Sequence, residues 1–82
     1  MMISELDRKF LKTGFKEVLK VISKKDAEKV FVAEDVAPSM KEKLVDQSME
    51  NGYNIIYVET RKTLGDMCGI DVGASCAAIV KH

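Results

Sequence analysis

Over residues 3–33, apolar residues repeat twice at helical spacing and are followed by a short continuous apolar run. The first repeat predicts a helix over residues 3–11, with a stripe of Ile3, Leu6 and Phe10. Residues 10–12 fit equally well as a short extended piece that leads into Gly14. The second repeat predicts a clearer helix after that glycine, with a buried face of Phe15, Val18, Leu19 and Ile22. The β-branched and aromatic run at 30–33 predicts a buried strand.

A longer helix is predicted in the middle of the chain from its start and stop signals. Pro38 suits the first helical position, where its missing N–H costs nothing, and Asn51-Gly52 suits the end. The inner face of this helix is predicted to contain Met40, Leu44, Val45, Ser48 and Met49.

The last third of the chain reads as strand, short helix and strand. Residues 53–58 predict the first strand, and Thr60 is a suitable N-cap for a helix that ends at Cys68 before Gly69. The small residues at 74–80 predict a final strand over which helices pack closely. Strands alternating with helices favour an α/β fold in which helices cover both faces of the sheet. We therefore expect a single domain over residues 1–82.

Composition narrows the class of protein. The apolar fraction is 46% and the charged fraction 32%, which is typical of a globular chain. No apolar run approaches the roughly 20 residues of a membrane span, and the N-terminus lacks a basic-then-apolar signal segment. We therefore expect a cytoplasmic protein with no membrane partner.

Residues that carry catalytic chemistry are scarce. His82, the final residue, is the one histidine, so Ser-His and Cys-His nucleophilic arrangements are not expected. The adjacent Glu34 and Asp35 are interpreted as a solvated turn or helix cap rather than a paired acid and base. Gly65, Gly69 and Gly73 form no nucleotide-binding motif. The sequence therefore predicts no enzyme activity and no cofactor.

The two cysteines indicate neither a metal site nor a disulfide framework. Cys68 and Cys76 form no C-x-x-C pair and no recurrent ligand spacing. We interpret both as small buried apolar groups, with a redox-sensing pair as the less favoured alternative.

Charge is divided unevenly along a chain that is neutral overall. Residues 1–25 carry a net charge of +4 and residues 26–82 one of −4. Such a division is either ordinary surface charge or the mark of a localised anionic partner.

The helix after Gly14 presents a row of lysines and one carboxylate opposite its apolar face. Lys16, Lys20 and Lys24 lie within roughly 80° of one another at 100° per residue, with Glu17 beside them. The first turn of a helix suits phosphate, and the glycine allows close approach of a partner. A carboxylate among lysines repels phosphate but accepts hydrogen bonds from a guanine edge. The alternative is a solvated face with a Glu17–Lys20 pair worth a few tenths of a kcal/mol.

A second candidate region is the glycine-flanked loop at residues 69–73. Ile70 and Val72 are apolar, and Asp71 lies between them. Exposed apolar residues on a loop can pack on an unstacked base of folded RNA. The alternative is that they close the end of the core.

Three segments together resemble the ribosomal L7Ae/L30e family of kink-turn RNA-binding proteins, and the short bacterial members most. They are TGFKEVLK at 13–20, VFVAEDVAP at 30–38 and LGDMCGIDVGASCAAIV at 64–80. The resemblance runs from about Gly14 to Val80. It implies a three-layer α/β/α sandwich with a mixed sheet, which recognises RNA bends built on tandem sheared G·A pairs.

The resemblance also implies roles for individual residues. Gly14 and Phe15 begin the segment that approaches the G·A pairs, Lys16 and Glu17 face the guanine edges, and Lys20 contacts guanine or phosphate. The loop residues Ile70, Asp71 and Val72 would cover the flipped-out nucleotides, and Glu34 and Arg61 lie where the family also approaches RNA. Lys16 replaces the asparagine usual in archaeal and eukaryotic relatives, and Leu19 a common threonine; bacterial-type members also carry the lysine.

The leading hypothesis is a non-enzymatic, monomeric protein that stabilises a kink-turn RNA on the ribosome or elsewhere. The main alternative is a protein-interaction module of the same fold that uses the acidic second half of the chain. A small enzyme or thiol switch ranks below both.

Overall fold

The computed structural model describes residues 3–81, which form four helices and four strands. His82, the residue behind the exclusion of histidine chemistry, lies outside this range. In chain order the elements are α1 (Glu5–Arg8), β1 (Leu11–Thr13), α2 (Phe15–Ser23), β2 (Ala27–Ala33), α3 (Pro38–Asn51), β3 (Asn54–Val58), α4 (Arg61–Cys68) and β4 (Cys76–Val80). None of the described helices has the length and apolar character needed to cross a membrane.

One mixed sheet, in the order β1-β4-β2-β3, organises the chain. β4 is antiparallel to both of its neighbours, whereas β2 and β3 are parallel. The register pairs Thr13 with Ala77, Val32 with Cys76, and Ala33 with Val58. The ends of β1, β2 and β3 therefore meet the start of β4 at one end of the sheet, which we call the Gly14 end.

Helices cover both faces of this sheet, as predicted. In β2, the side chains of Phe31 and Ala33 join a core under α4, whereas those of Val30 and Val32 join a core under α2 and α3. β4 alternates in the same way, because successive residues of a strand point to opposite faces. Its small side chains allow close packing from both sides, and they are Cys76, Ala77 and Ala78. The predicted three-layer α/β/α sandwich with a mixed sheet is confirmed.

The first predicted helix is shorter than the apolar stripe indicates. α1 ends at Arg8, and the backbone N–H groups of Lys9 and Phe10 donate to Leu6 and Asp7 in a closing turn. Residues 11–13 form the edge strand β1, so the extended alternative is the one adopted. The reason is tertiary: this segment supplies the antiparallel partner of β4.

Local signals predicted the ends of α3 and α4 well. Pro38 begins α3, and Gly52 closes it with a left-handed φ of 72°. The hydroxyl of Thr60 accepts the N–H of Thr63 at the start of α4, and Gly69 closes that helix with a φ of 75°. Residues that readily adopt a left-handed φ or that supply a capping oxygen thus mark the helix ends.

One assignment to the inner face of α3 is wrong. Met49 is 84% exposed, because it lies about 140° around the helix from the fully buried Leu44. Met40 packs against the core, and Val45 and Ser48 are half-buried. α3 therefore contacts the sheet through a narrow stripe.

The cysteines are buried on opposite faces of the sheet. Cys68 belongs to the core under α4, and Cys76 to the core under α2 and α3. Burial raises the pKa of both thiols, which disfavours the reactive thiolate. The interpretation as small buried groups is confirmed, and the sheet between the cysteines excludes a redox pair within the chain.

We expect Tyr53→Phe to destabilise the fold by about 1 kcal/mol at neutral pH, because the buried hydroxyl donates to the carbonyl of Leu44 in α3. Burial, and then Cys76, raise the pKa of Tyr53 to about 12 from 10.0. The neutral phenol of Tyr53 therefore contributes to the free energy of unfolding of the wild-type protein below pH 10. This contribution is lost as the pH rises from 10 towards 12. Urea unfolding of the wild-type protein and of Tyr53→Phe should show a smaller difference in the free energy of unfolding at pH 11 than at pH 8. A constant difference would contradict this role of the hydroxyl.

Candidate functional site

Backbone hydrogen bonds tie the loops at the Gly14 end to the sheet. The N–H of Gly14 donates to the carbonyl of Cys76 at 3.0 Å, and that of Glu34 donates to Val58 at 2.8 Å. The carbonyl of Arg61 accepts the N–H of Ala74 at 3.0 Å. Candidate residues from four separate segments are thereby brought to one end of the molecule.

Gly14 joins β1 to α2 in a conformation that suits glycine alone. Its φ is 95° and its ψ 147°, a backbone region that residues with a Cβ rarely adopt. Apart from its two chain neighbours, no atom of the described residues lies within 4 Å of the position that a Cβ would occupy. The space in front of this glycine is therefore open to a partner.

The first turns of α2 present charge outward while the helix is held from below. Val18 and Ile22 are buried, and Phe15 packs part of its ring against the same core. Lys16, Glu17 and Lys20 are exposed. The Glu17 Oε1 and Lys20 Nζ atoms lie 3.4 Å apart, with side chains 52% and 68% exposed. The predicted i, i+3 pair is thus present, and both of its members remain accessible.

A groove of about 400 Å³ separates α2 from the edge strand β1 and extends from Glu17 and Lys20. Lys12 enters it because this residue pairs with Ala78, whose side chain lies on the α2 face of the sheet. The groove is lined by Lys12, Glu17, Lys20, Val21, Lys24, Asp26 and Val80. Lys12 and Asp26 were not predicted from the sequence as lining residues, and the placement of Lys12 depends on β1 being a strand.

Asp35, which the sequence indicated only as part of a turn or helix cap, links the loop after β2 to the start of α4. One carboxylate oxygen, Oδ1, accepts the backbone N–H of Arg61 at 2.9 Å and lies 3.5 Å from Nε of the same arginine. Asp35 thus caps α4 from a different loop. Its neighbour Glu34 is exposed, and its carbonyl accepts from the Lys41 ammonium at 3.0 Å. Nothing in the local pattern links Asp35 to a residue 26 positions away.

The loop between α4 and β4 runs back along α4 and is seated there by two glycines. A Cβ on Gly65 would lie 2.2 Å from the carbonyl oxygen of Val72, and a Cβ on Gly73 would lie 3.3 Å from the Cβ atom of Arg61. Val72 is 69% exposed and Asp71 is exposed, whereas Ile70 packs against the core. The two interpretations of this loop therefore divide: Ile70 closes the core and Val72 remains available to a ligand.

Metal-ion chemistry has no candidate centre in the part of the chain that the structure describes. Within it, no group of three histidine, cysteine, aspartate or glutamate residues is arranged to hold an ion. The Gly14 end instead offers basic side chains, the exposed carboxylates of Glu17, Glu34, Asp35 and Asp71, and the exposed side chain of Val72. The structure thus presents a polar surface at one end of an α/β/α sandwich.

Residues 4–82 match the sequence profile of the Ribosomal protein L7Ae/L30e/S12e/Gadd45 family, and the chain belongs to this family. An RNA-binding protein of Caldanaerobacter subterraneus is 40% identical over 67 residues, which make up 82% of each chain. The large ribosomal subunit protein eL8 of Halobacterium salinarum is 39% identical over 71 residues. That alignment covers 85% of this chain and 59% of the archaeal protein.

Among solved structures, the 15.5 kDa RNA-binding protein of Giardia lamblia is similar, with a TM-score of 0.81 and 28% sequence identity. The match covers 90% of this chain and 62% of that one. The resemblance drawn from the three sequence segments is therefore confirmed, and the similarity to short bacterial RNA-binding proteins is confirmed with it. These relatives are named as RNA-binding or ribosomal proteins.

We expect Gly65→Ala to displace the loop at residues 70–73, because the new methyl group would overlap the backbone of Val72. Relief of such an overlap costs on the order of 1–3 kcal/mol. Gly73→Ala is the matched control, since its Cβ would meet Arg61 at a distance that a small shift relieves. Urea unfolding and the amide chemical shifts of residues 70–73 measure both effects. Equal behaviour of the two variants would contradict the proposed seating of the loop.

Proposed function

We propose that this protein binds kink-turn-type structured RNA and stabilises its bend through the Gly14 end of the sheet. The observation that carries the proposal is the exposed Glu17 beside Lys16 and Lys20 in the first turns of α2, next to an open glycine backbone. Relatives named as RNA-binding proteins support it. A surface made for phosphate alone gains nothing from a central carboxylate.

Each group on α2 has a distinct task in this proposal. Gly14 lets the RNA come close, and the first turn of α2 contributes partial positive charge, with no side-chain cap in competition. The Glu17 carboxylate accepts hydrogen bonds from guanine N–H groups, and Lys16 donates to the acceptors of the neighbouring guanine edge. Lys20 contacts guanine or phosphate. Phe15 contributes backbone contacts, because its ring is directed to the core.

The Glu17–Lys20 pair must open when guanine takes the carboxylate. Both side chains are more than half exposed, so their pairing stabilises the free protein by only a few tenths of a kcal/mol. Exchange of this contact for guanine and phosphate contacts therefore costs little. The pair keeps the carboxylate near its binding position in the free protein.

The second side of the interface consists of the α4–β4 loop and the residues beside it. Val72 packs on a flipped-out base, and Asp71 accepts hydrogen bonds from the same nucleotides. Ile70 supports the loop from the core. Arg61 and Glu34 flank the bend.

The cellular setting is part of the proposal. The protein acts as a cytoplasmic monomer without a cofactor, on ribosomal RNA or another structured RNA. The similarity to archaeal ribosomal protein eL8 supports a ribosomal target.

A gel-shift titration compares a kink-turn RNA with the same RNA carrying disrupted G·A pairs. We expect tight binding to the first and weak binding to the second at physiological salt. Equal binding to both would contradict kink-turn recognition. No binding to either would favour the protein-interaction module, whose complexes should then be recovered with a protein partner.

We expect Glu17→Ala to lower the affinity for kink-turn RNA about tenfold, the size of one lost base contact. The affinity for a plain duplex should stay equal or rise slightly, because a negative charge is removed. Glu50→Ala, at the far end of α3, is the charge-matched control and should change neither affinity. Parallel loss on both RNAs would show that Glu17 supports the fold and does not read bases.

We expect Lys20→Ala to weaken RNA binding. The slope of log affinity against log salt concentration should also become shallower by about 0.9, the value for one phosphate contact. Lys43→Ala, on the exposed side of α3, provides the control. Titrations at four salt concentrations measure the slope. A weaker complex with an unaltered slope would assign Lys20 to guanine instead of phosphate.

A further inference from the structure

We propose that Asp35 is a positioning residue that holds the Arg61 side chain ready for RNA. This inference rests on the proposed function and adds to it a residue that makes no RNA contact of its own. Asp35 fixes Arg61 through one carboxylate oxygen, which faces both the backbone N–H and the Nε of the arginine.

Strand pairing is what places the two residues together. β2 and β3 run parallel, and Ala33 pairs with Val58 at their ends. The chain then continues from β2 into the turn that contains Asp35, and from β3 into the first residue of α4, Arg61. The resulting distances from Oδ1 are 2.9 Å to the backbone nitrogen and 3.5 Å to Nε.

The backbone of Arg61 is restrained from a second direction. Its carbonyl accepts the N–H of Ala74 at 3.0 Å, and Gly73 lies against its Cβ. The freedom left to Arg61 is therefore in its side-chain torsions, and the Asp35 carboxylate limits these through Nε. Pairing at Nε leaves the two terminal nitrogens of the planar guanidinium for a phosphate or a guanine edge. A side chain ordered before binding loses less conformational entropy when the complex forms.

Stability alone gives little reason for this contact. The side chains of Arg61 and Asp35 are 59% and 40% exposed, and ion pairs at such positions contribute little to folding. The helix end is also capped independently, since the Thr60 hydroxyl accepts the N–H of Thr63. An acidic side chain beside an RNA surface moreover repels phosphate.

The repulsion between the Asp35 carboxylate and phosphate decides whether each role predicts weaker or tighter RNA binding when Asp35 is neutralised. If Asp35 acts only as a nearby negative charge, its neutralisation should tighten RNA binding. If it positions Arg61, neutralisation should weaken binding, and only while Arg61 is present. Asp35→Asn separates the two roles, because its amide oxygen still accepts the backbone N–H of Arg61. The negative charge that holds the guanidinium is removed in this variant.

The experiment is a double-mutant cycle with full-length protein and kink-turn RNA, using Asp35→Asn, Arg61→Ala and the combination. We expect Asp35→Asn to lower affinity about fivefold in the wild-type background, and to leave it unchanged or raise it in the Arg61→Ala background. Asp46→Asn, an exposed carboxylate on α3, controls for net charge and should have no effect. Urea unfolding verifies that each variant is folded.

Relaxation of the Arg61 Nε–H group by nuclear magnetic resonance adds a readout in the free protein, where Asp35→Asn should increase its mobility. Unchanged or tighter binding by Asp35→Asn in the wild-type background would overturn the inference. So would an equal loss in both backgrounds, which indicates a structural role. Absence of RNA binding by the wild-type protein would overturn the proposed function and this inference together, and is distinguished by the first titration.

Discussion

The position of β4 between β1 and β2, antiparallel to both, is the constraint on which the structure depends. It returns the end of the chain to the centre of the sheet, so that the loop before β4 meets the loops after β1 and β2. A central strand covered on both faces needs small side chains where helices approach, and the run from Cys76 to Ala78 supplies them. The same strand that completes the core therefore assembles the Gly14 end.

Backbone geometry, more than side-chain packing, gives this surface its shape. Gly14 takes a φ of 95° and bonds to Cys76, while the absence of a Cβ at Gly65 admits the carbonyl of Val72. A chain of 82 residues has a small core, and hydrogen bonds from loop to strand hold the loops at the Gly14 end without additional apolar layers. Segments ordered in the free protein lose less entropy on binding. The glycines thus contribute to the proposed recognition through the backbone shape that they permit.

Features governed by neighbouring residues could be predicted from the sequence, whereas those governed by pairing partners could not. α4 was predicted with both ends, because Thr60 and Gly69 act within one helical turn. β1 stayed unresolved, since three residues become a strand only when β4 lies beside them. The positions of Lys12 in the groove and of Asp35 against Arg61 required the same long-range information. The exposure of Met49 follows from the narrow contact between α3 and the sheet.

The acidic residues at the Gly14 end offer an explanation of how a chain with no net charge could bind RNA selectively, as proposed. A strongly basic surface binds any nucleic acid through counterion release, with little regard to shape or sequence. Glu17 lies among lysines, and Asp35 is paired with Arg61, so each lowers the attraction for phosphate alone. In the proposed complex, the favoured ligand satisfies the Glu17 carboxylate with N–H donors and contacts Arg61 in the orientation that Asp35 holds. Selectivity of this kind comes from penalties against wrong partners as much as from attraction to the right one.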